Sequence, residues 1–409
     1  MSESKKTSQL FTALAYLIAI VLGVCNGLWG SEGLLALADF VSSIFIRLFK
    51  FISVPIIAVS IIATLATISQ SSESGKIFRH TIFYTLLTTI LSASVACGLY
   101  LAFAPANVSV GEAAPVVSKM AEHSYLEYVQ SIVPDNFIAP FLSANVLSVL
   151  LVSAAIGLAI AKLPRGSRSQ DVLMAFFSGA QEVLFVLVRW LIQVLPVGIF
   201  GFITALVIEM KAGVAIGGLG SYFATILTAN FVQMLLILPA LLLLHGLNPI
   251  KVAKGMSPAL VVAFFSKSSA GTLPVTMNCA ENNLKIRPSV GRFVLPICTT
   301  INMNGCAAFI FVTVIYLMQN AGADITPMTL ITWIGISTLA AVGNAGVPMG
   351  CFFLSASLLA SMNVPILLMG VILPIFAVID MIETVLNVWS DSVVAAVVDK
   401  DLYGQDGLN

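Results

Sequence analysis

Three carboxylates lie inside one apolar stretch near the end of this 409-residue chain, in the run Asp380-Met-Ile-Glu383-Thr384-Val-Leu-Asn387-Val-Trp-Ser-Asp391. At about 100° per residue, Asp380, Glu383, Thr384, Asn387 and Asp391 share roughly 100° of helical arc, leaving the opposite face for lipid. An aspartate at the centre of a membrane helix costs about 2.5–3.5 kcal/mol on insertion scales, so a stripe of acids needs cationic guests or polar partners. Metal ions, an α-ammonium group and protons are the candidates. A second polar cluster, Thr299-Thr300-Ile-Asn302-Met-Asn304-Gly305-Cys306, also falls within an apolar run, and Gly305 is expected to let that helix unwind and free carbonyl oxygens. Carbonyls with one or two carboxylates suit a hard cation such as sodium.

Between these clusters and just before them stand two apolar stretches broken at their centres. The first carries Ser-Lys-Ser-Ser-Ala-Gly-Thr-Leu-Pro (266–274) within about 255–282; the second carries Gly-Asn-Ala-Gly-Val-Pro-Met-Gly (343–350) within about 327–361. Each half is too short to cross a bilayer, and paired Gly/Pro-broken segments point to a transporter's binding site. The stretches are expected to form two re-entrant helical hairpins whose tips meet at midplane, because unwound backbone at that depth needs protein or water around it. The hydroxyls of Ser268, Ser269 and Thr272, with the N–H groups of a helix start, can receive a carboxylate. Lys267 is either an anion ligand or the internal partner of Glu383; the pairing is preferred because an unpaired buried charge is costly.

The elements that must position these residues are transmembrane helices. Hydrophobic residues make up 59% of the chain and charged residues 9%, far below the roughly 25% charged of soluble domains. Eight long apolar segments follow, at about 10–30, 38–68, 78–104, 124–163, 173–207, 214–247, 288–318 and 364–397, so the fold class expected is all-α and membrane-integral, eight helices plus two hairpins. The run from Phe11 to Gly27 is read as an uncleaved first helix, not a secretory leader, since no A-x-A-like site follows it. Lys5, Lys6, Lys76, Arg79, Lys162, Arg165, Arg168, Lys251, Lys254, Lys285, Arg287, Arg292 and Lys400 fall on one side of this layout, against Lys119 and Lys211 on the other, which places both termini in the cytoplasm. Arg47 and Lys50 snorkel or face an internal contact.

Net charge is zero, which gives no reason to expect a nucleic-acid or acidic partner. The six cysteines lack CxxC or Cys/His spacing, so neither a disulfide nor a thiolate metal site is expected. His80, His123 and His245 stand apart and take no role, and Glu182 and Arg189, seven residues apart, are structural. No Ser/His/Asp or Cys/His constellation supports an enzyme.

Over nearly its whole length the chain resembles the dicarboxylate/amino acid:cation symporters, the glutamate transporter family. The likeness rests on Ser268-Ser269-Ala270-Gly271-Thr272-Leu273-Pro274, Asn302-Met303-Asn304-Gly305, Gly343-Asn344-Ala345-Gly346-Val347-Pro348 and the last acidic helix, four motifs in family order. It implies inverted repeats, a homotrimer held by scaffold helices (1–70 and 124–210) and a moving part made of 77–123, 214–250 and a core at 251–400, working as an elevator. Pro55 and Pro196 resemble the family's prolines in helices two and five. By the same resemblance Asp380 takes the substrate ammonium and the first-tip serines its carboxylate. Glu383, Thr384, Asn387, Cys306, Gly346 and Val347 are then the further substrate contacts. Asp391 with Asn302 and Asn387 forms one sodium site, and Thr300 with Ala341, Val342 and Asn344 another, with Cys298 among the sodium ligands.

Two departures from the family pattern carry information. Members that take acidic substrates place an arginine where this chain has Glu383, and the Glu383-Thr384 pair with Asn387 resembles the serine/threonine:sodium branch, which implies a small neutral amino acid and a bacterial inner membrane. Asn304 replaces an aspartate that completes a third sodium site with Thr88 and Thr89 in helix three, so fewer coupled sodium ions are expected. Other readings of the residues are an acidic or cationic substrate, proton coupling, or a channel or receptor; saturable, sodium-dependent flux separates transporter from channel.

Overall fold

The computed structural model describes residues 2–67, 75–108, 133–142, 146–164, 166–211, 217–344, 346, 349–362 and 364–404. Helices account for nearly all of this, and no strand occurs among the described residues. In chain order they are α1 (Ser2–Trp29), α2 (Glu32–Thr67), α3 (Gly75–Phe103), α4 (Ala139–Leu142), α5 (Val146–Lys162), α6 (Arg168–Lys211), α7 (Gly217–Val232), α8 (Leu238–Leu244), α9 (Pro249–Ser266), α10 (Ser269–Asn282), α11 (Pro288–Ile301), α12 (Asn304–Asn320), α13 (Pro327–Val342), α14 (Gly350–Ser361) and α15 (Leu367–Tyr403). Four stretches among the described residues are long and apolar enough to cross a membrane: Gly75–Phe103, Leu219–Leu244, Pro288–Asn320 and Val378–Tyr403.

The helices sort into two packed groups. α1, α2, α5 and α6 lie chiefly against one another, while α3 and α7 to α15 form the larger group around α12 and α15. The two meet where α14 lies on α2 and α15 on α6. Gly370 shows how close the second contact is, since a Cβ there would stand 2.3 Å from the Phe202 ring. α12 is surrounded on all sides, with Asn304 to Met318 continuously buried, as expected of a helix apolar all round at the centre of a bundle.

Several boundaries differ from the sequence expectation. The fourth apolar segment, expected over 124–163, lies partly outside the described residues (124–132 and 143–145); of the rest, 133–138 are not helical, and 139–142 and 146–162 are helical as α4 and α5. Pro134 and Pro140 punctuate this stretch, and the Asn136 side chain accepts from the N–H groups of Ile138 (2.7 Å) and Ala139 (3.3 Å), a local turn that competes with helix continuation. The segment expected at 214–247 contains a π-helical turn, Gln233–Ile237, between α7 and α8. The first broken stretch starts earlier than 255, at Pro249, because Asn248 caps α9 by accepting from Ile250 N (3.0 Å) and Lys251 N (3.2 Å).

Both broken stretches have the expected helix-break-helix form. In the first, Lys267 adopts the left-handed conformation (φ 54°) and ends α9. Ser268 then caps α10 by accepting from Gly271 N at 3.0 Å. In the second, α13 ends at Val342 and α14 begins at Gly350. Gly346 has φ +62°, and a Cβ there would lie 2.6 Å from the Thr299 carbonyl, so both its conformation and its surroundings call for glycine.

Candidate functional site

The break between α11 and α12 is the geometric centre of the site. Asn302 (φ −100°, ψ 58°) and Met303 (φ −95°, ψ 69°) leave the helical region, which strips carbonyls of α11 and N–H groups of α12 of their helical partners. Gly305 does not do the unwinding that the sequence suggested: it lies inside α12. Its part is close approach, since an added Cβ would stand 2.8 Å from Cβ and 2.9 Å from Cα of Glu383. That contact brings α12 onto α15, where Gly305 N donates to Asn387 Oδ1 at 2.8 Å.

The three acids of α15 are all interior, Asp380 being 4%, Glu383 1% and Asp391 1% exposed. Asp380 accepts from Met349 N at 3.2 Å, at the start of α14. Its charge also interacts with that of Lys267 at the first tip. Glu383 lies among Cys306, Cys351 and Asp380. Its Oε2 accepts from Cys351 Sγ at 3.1 Å, and its Oε1 is buried with no hydrogen-bond partner. The Thr384 hydroxyl donates to the Asp380 carbonyl one turn back at 2.7 Å.

The two tips touch. Ser268 Oγ donates to the Gly346 carbonyl (3.2 Å), and Ala270 N lies 3.5 Å from the same oxygen. Ser269 is buried beneath them. Asn344 of the second tip donates to Cys306 Sγ at 2.8 Å, and Asn387 Nδ2 lies 3.6 Å from the same sulfur. Asp380, Glu383, Thr384, Asn387, Cys306, Ser268, Ser269 and Gly346 thus converge on one locus, while Val347 lies outside the described residues.

Asn302 straddles two neighbouring polar sites. Its Nδ2 donates to Asp391 Oδ1 (3.0 Å) and Ser390 Oγ (2.9 Å), the Thr299 hydroxyl also interacts with this carboxylate, and Asp391 Oδ2 is buried with no close hydrogen-bond partner among the described residues. Its Oδ1 accepts from Thr88 Oγ1 and Asn304 Nδ2, both at 2.9 Å. Asn304 Nδ2 also reaches Thr88 Oγ1 (3.3 Å), and Asn304 Oδ1 accepts from Gln233 Nε2 at 2.7 Å. Gln233 Nε2 donates to the Thr88 carbonyl as well (3.0 Å), and the Thr89 hydroxyl turns to the Thr85 carbonyl (2.7 Å). Gln233 is a participant that sequence reasoning missed. The signal available was a fully polar amide inside an apolar segment, and the π turn that aims it is not written in any periodicity.

Of the other residues singled out, Cys298 is buried with Thr85 Oγ1 3.7 Å from its sulfur. The Thr300 hydroxyl donates to the Ile297 carbonyl at 2.8 Å. Ala341 accepts from Asn344 N (3.0 Å), Asn344 O accepts from Gly346 N (2.7 Å), and Val342 closes α13 beside them. His245 and Tyr84 meet at 2.9 Å, and Tyr84 donates to Asp401 at 2.5 Å, away from the acids.

The arrangement is one in which acids meet freed backbone and hydroxyls at two chain breaks, with residues 13–401 matching the model of the sodium:dicarboxylate symporter family. The chain belongs to that family. It is 30% identical to the neutral amino acid transporter B(0) of Bos taurus, over 97% of this chain and 81% of that protein. Against the human neutral amino acid transporter B(0) the identity is also 30%, over 93% and 78%. The human excitatory amino acid transporter 3 is 27% identical over 95% and 84%. As a symporter of this family the chain is a membrane transport protein coupled to sodium, not an enzyme.

Proposed function

We propose that this symporter imports a small neutral amino acid of the serine, threonine or alanine type together with sodium. The observation that carries the reading is the face of α15, where Asp380, Glu383 and Asp391 are all buried and turned toward the two chain breaks and the α11/α12 break. A zwitterion fits that face. Its ammonium meets Asp380, and its carboxylate meets Ser268, Ser269 and the start of α10, where N–H groups and the helix dipole favour an anion. Thr384, Asn387, Cys306 and Gly346 enclose the rest, with Val347, outside the described residues, assigned by the family resemblance alone. Glu383 repels an acidic side chain, which favours the neutral class named for the B(0) relatives over an acidic one.

Sodium is held on this reading at Asp391 with Asn302 and Asn387, and at Thr300 with Ala341, Val342, Asn344 and Cys298. The cluster of Thr88, Thr89 and Asn304 makes a poor third site, because amide hydrogens of Asn304 and Gln233 occupy the acceptors a cation would need. Fewer sodium ions therefore accompany each substrate than in members with an aspartate at that position.

The same reading takes the eight helices and two re-entrant hairpins as an elevator. Residues 1–70 and 124–210 (α1, α2, α5, α6) form the scaffold of a homotrimer in a bacterial inner membrane, with both termini cytoplasmic. Residues 77–123, 214–250 and the core 251–400 travel together, in keeping with the two packed groups of helices. The test is radiolabelled serine uptake into proteoliposomes with and without an inward sodium gradient, competed by a panel of amino acids. Saturable uptake that needs sodium and is blocked by threonine and alanine is expected; uptake indifferent to sodium, or blocked best by glutamate, refutes the reading. Glu383→Arg should shift the competition toward acidic amino acids.

A further inference from the structure

Two cysteines that the sequence leaves 45 residues apart come together with an acid in the interior. Cys306 of α12, Cys351 of α14 and Glu383 of α15 each offer a ligand atom, and these atoms lie within 4.8 Å of one another, all buried. Cys351 Sγ is 3.1 Å from Glu383 Oε2, while Glu383 Oε1 has no hydrogen-bond partner, so the acid keeps lone pairs available inside the cluster. We propose that Cys306, Cys351 and Glu383 form a site for a thiophilic divalent cation of the zinc or cadmium class.

The donor set decides the class of ion. Two soft thiolates select zinc and cadmium, which also accept a carboxylate oxygen, whereas sodium takes oxygen alone. A tetrahedral site with metal-sulfur bonds near 2.3 Å has ligand edges of about 3.8 Å, so closure needs movements of roughly 1 Å or less. On binding, each thiol loses its proton to water and a sulfur-metal bond replaces each S–H bond, two protons leaving for one divalent ion. No redox change occurs. Three protein ligands leave a fourth position open for water. The Asn344 amide, 2.8 Å from Cys306 Sγ, supports that thiolate by donating to it. The consequence follows from position: Cys306 and Glu383 also face the substrate on the transport reading, so an ion held between them and Cys351 competes with it.

The inhibitory consequence rests on the transport reading above; the binding itself does not. Purified protein titrated with cadmium should develop the ultraviolet sulfur-to-cadmium charge-transfer absorption at one ion per chain. Cys351→Ala and Cys306→Ala should each weaken binding by more than roughly ten-fold, the lower range for losing even a group that merely supports a ligand. Cys97→Ala, whose thiol is outside the cluster, should leave the titration unchanged. In proteoliposomes cadmium should suppress uptake reversibly with EDTA, each variant being scored against its own metal-free rate. Titrations that coincide for wild type and both cluster variants overturn the site, as does inhibition that only a thiol reductant reverses, which would signal a disulfide. A cadmium band lost in both variants, from a protein that fails to take up any amino acid, upholds the metal site and refutes the transport reading.

Discussion

One chain break serves two sites of opposite character. On the side of α15, Asn302 offers N–H to Asp391, and the second oxygen of that carboxylate is left buried and unpartnered. On the side of α3 and the π turn, Asn302 offers its oxygen to Thr88 and Asn304, and Gln233 completes a net of neutral amides and hydroxyls. A buried carboxylate with an unpartnered oxygen is costly unless a cation completes it, whereas the amide net, though it too leaves Gln233 Oε1 without a partner among the described residues, carries no charge to compensate. The same backbone geometry thus makes one place open to a cation and the other closed, and the difference is the chemistry of the side chains facing the break.

The strongest way to break this contrast is to neutralise the open side. Asp391→Asn removes a charge whose interaction with a monovalent cation is worth about 4 kcal/mol at 4 Å and an effective dielectric near 20, so apparent sodium affinity should fall by about a thousand-fold. Sodium-titrated uptake in proteoliposomes reads this directly, and an unchanged sodium requirement would remove Asp391 from the site. Asp380→Asn is expected to abolish substrate binding while sparing sodium binding, which calorimetry with each ligand alone separates.

Gly305→Ala tests the approach that brings both sides together. The added methyl meets the backbone of Glu383 at under 3 Å, and overpacking of this kind costs about 1–3 kcal/mol. A lower melting temperature in detergent should accompany reduced uptake; a variant as stable as wild type would mean that α12 and α15 are spaced more loosely than described.

Asn304→Asp sharpens the contrast by opening the closed side. It replaces the donor that satisfies Asn302 Oδ1 and Thr88 Oγ1 with an acceptor, so oxygens face one another unless a cation enters. Uptake should become steeper in sodium, and thermal stability should become sodium-dependent. A Hill slope and melting temperature both indifferent to the substitution would show that the net does not stand in for a cation.

Much of this was legible in the sequence wherever local chemistry decided the outcome. The acid stripe at 380–391 follows from helical period alone, and both tips follow from Gly, Ser and Pro inside apolar runs. Asn302 was legible as a polar residue, but the burden placed on Gly305 was not, because a glycine that permits unwinding and one that permits contact look alike until the neighbouring helix is in place. The nearness of Cys351 to Cys306 and Glu383 is hidden for the same reason, since cysteine spacing along the chain shows no ligand pattern. The charge interaction between Lys267 and Asp380 is not legible from counting charges, because which acid a lysine approaches is settled by packing. Gln233 stands out in sequence only as an amide in an apolar run; where it points is set by a π turn that leaves no mark in the hydrophobic pattern.

The smallest effect is expected from Ser92→Ala. Ser92 Oγ donates to the Asn304 carbonyl at 2.7 Å, on the closed side of the break. A buried hydrogen bond of this kind contributes about 1 kcal/mol net, so the melting temperature should drop slightly. The sodium dependence of uptake should not move, because no acceptor of the open side is touched. Ser390→Ala, which removes the hydroxyl accepting from Asn302 Nδ2 at 2.9 Å on the other side, should alter the apparent sodium affinity. If the two serines behave alike in a sodium titration, the two faces of the break are one coupled site, and the contrast between them dissolves.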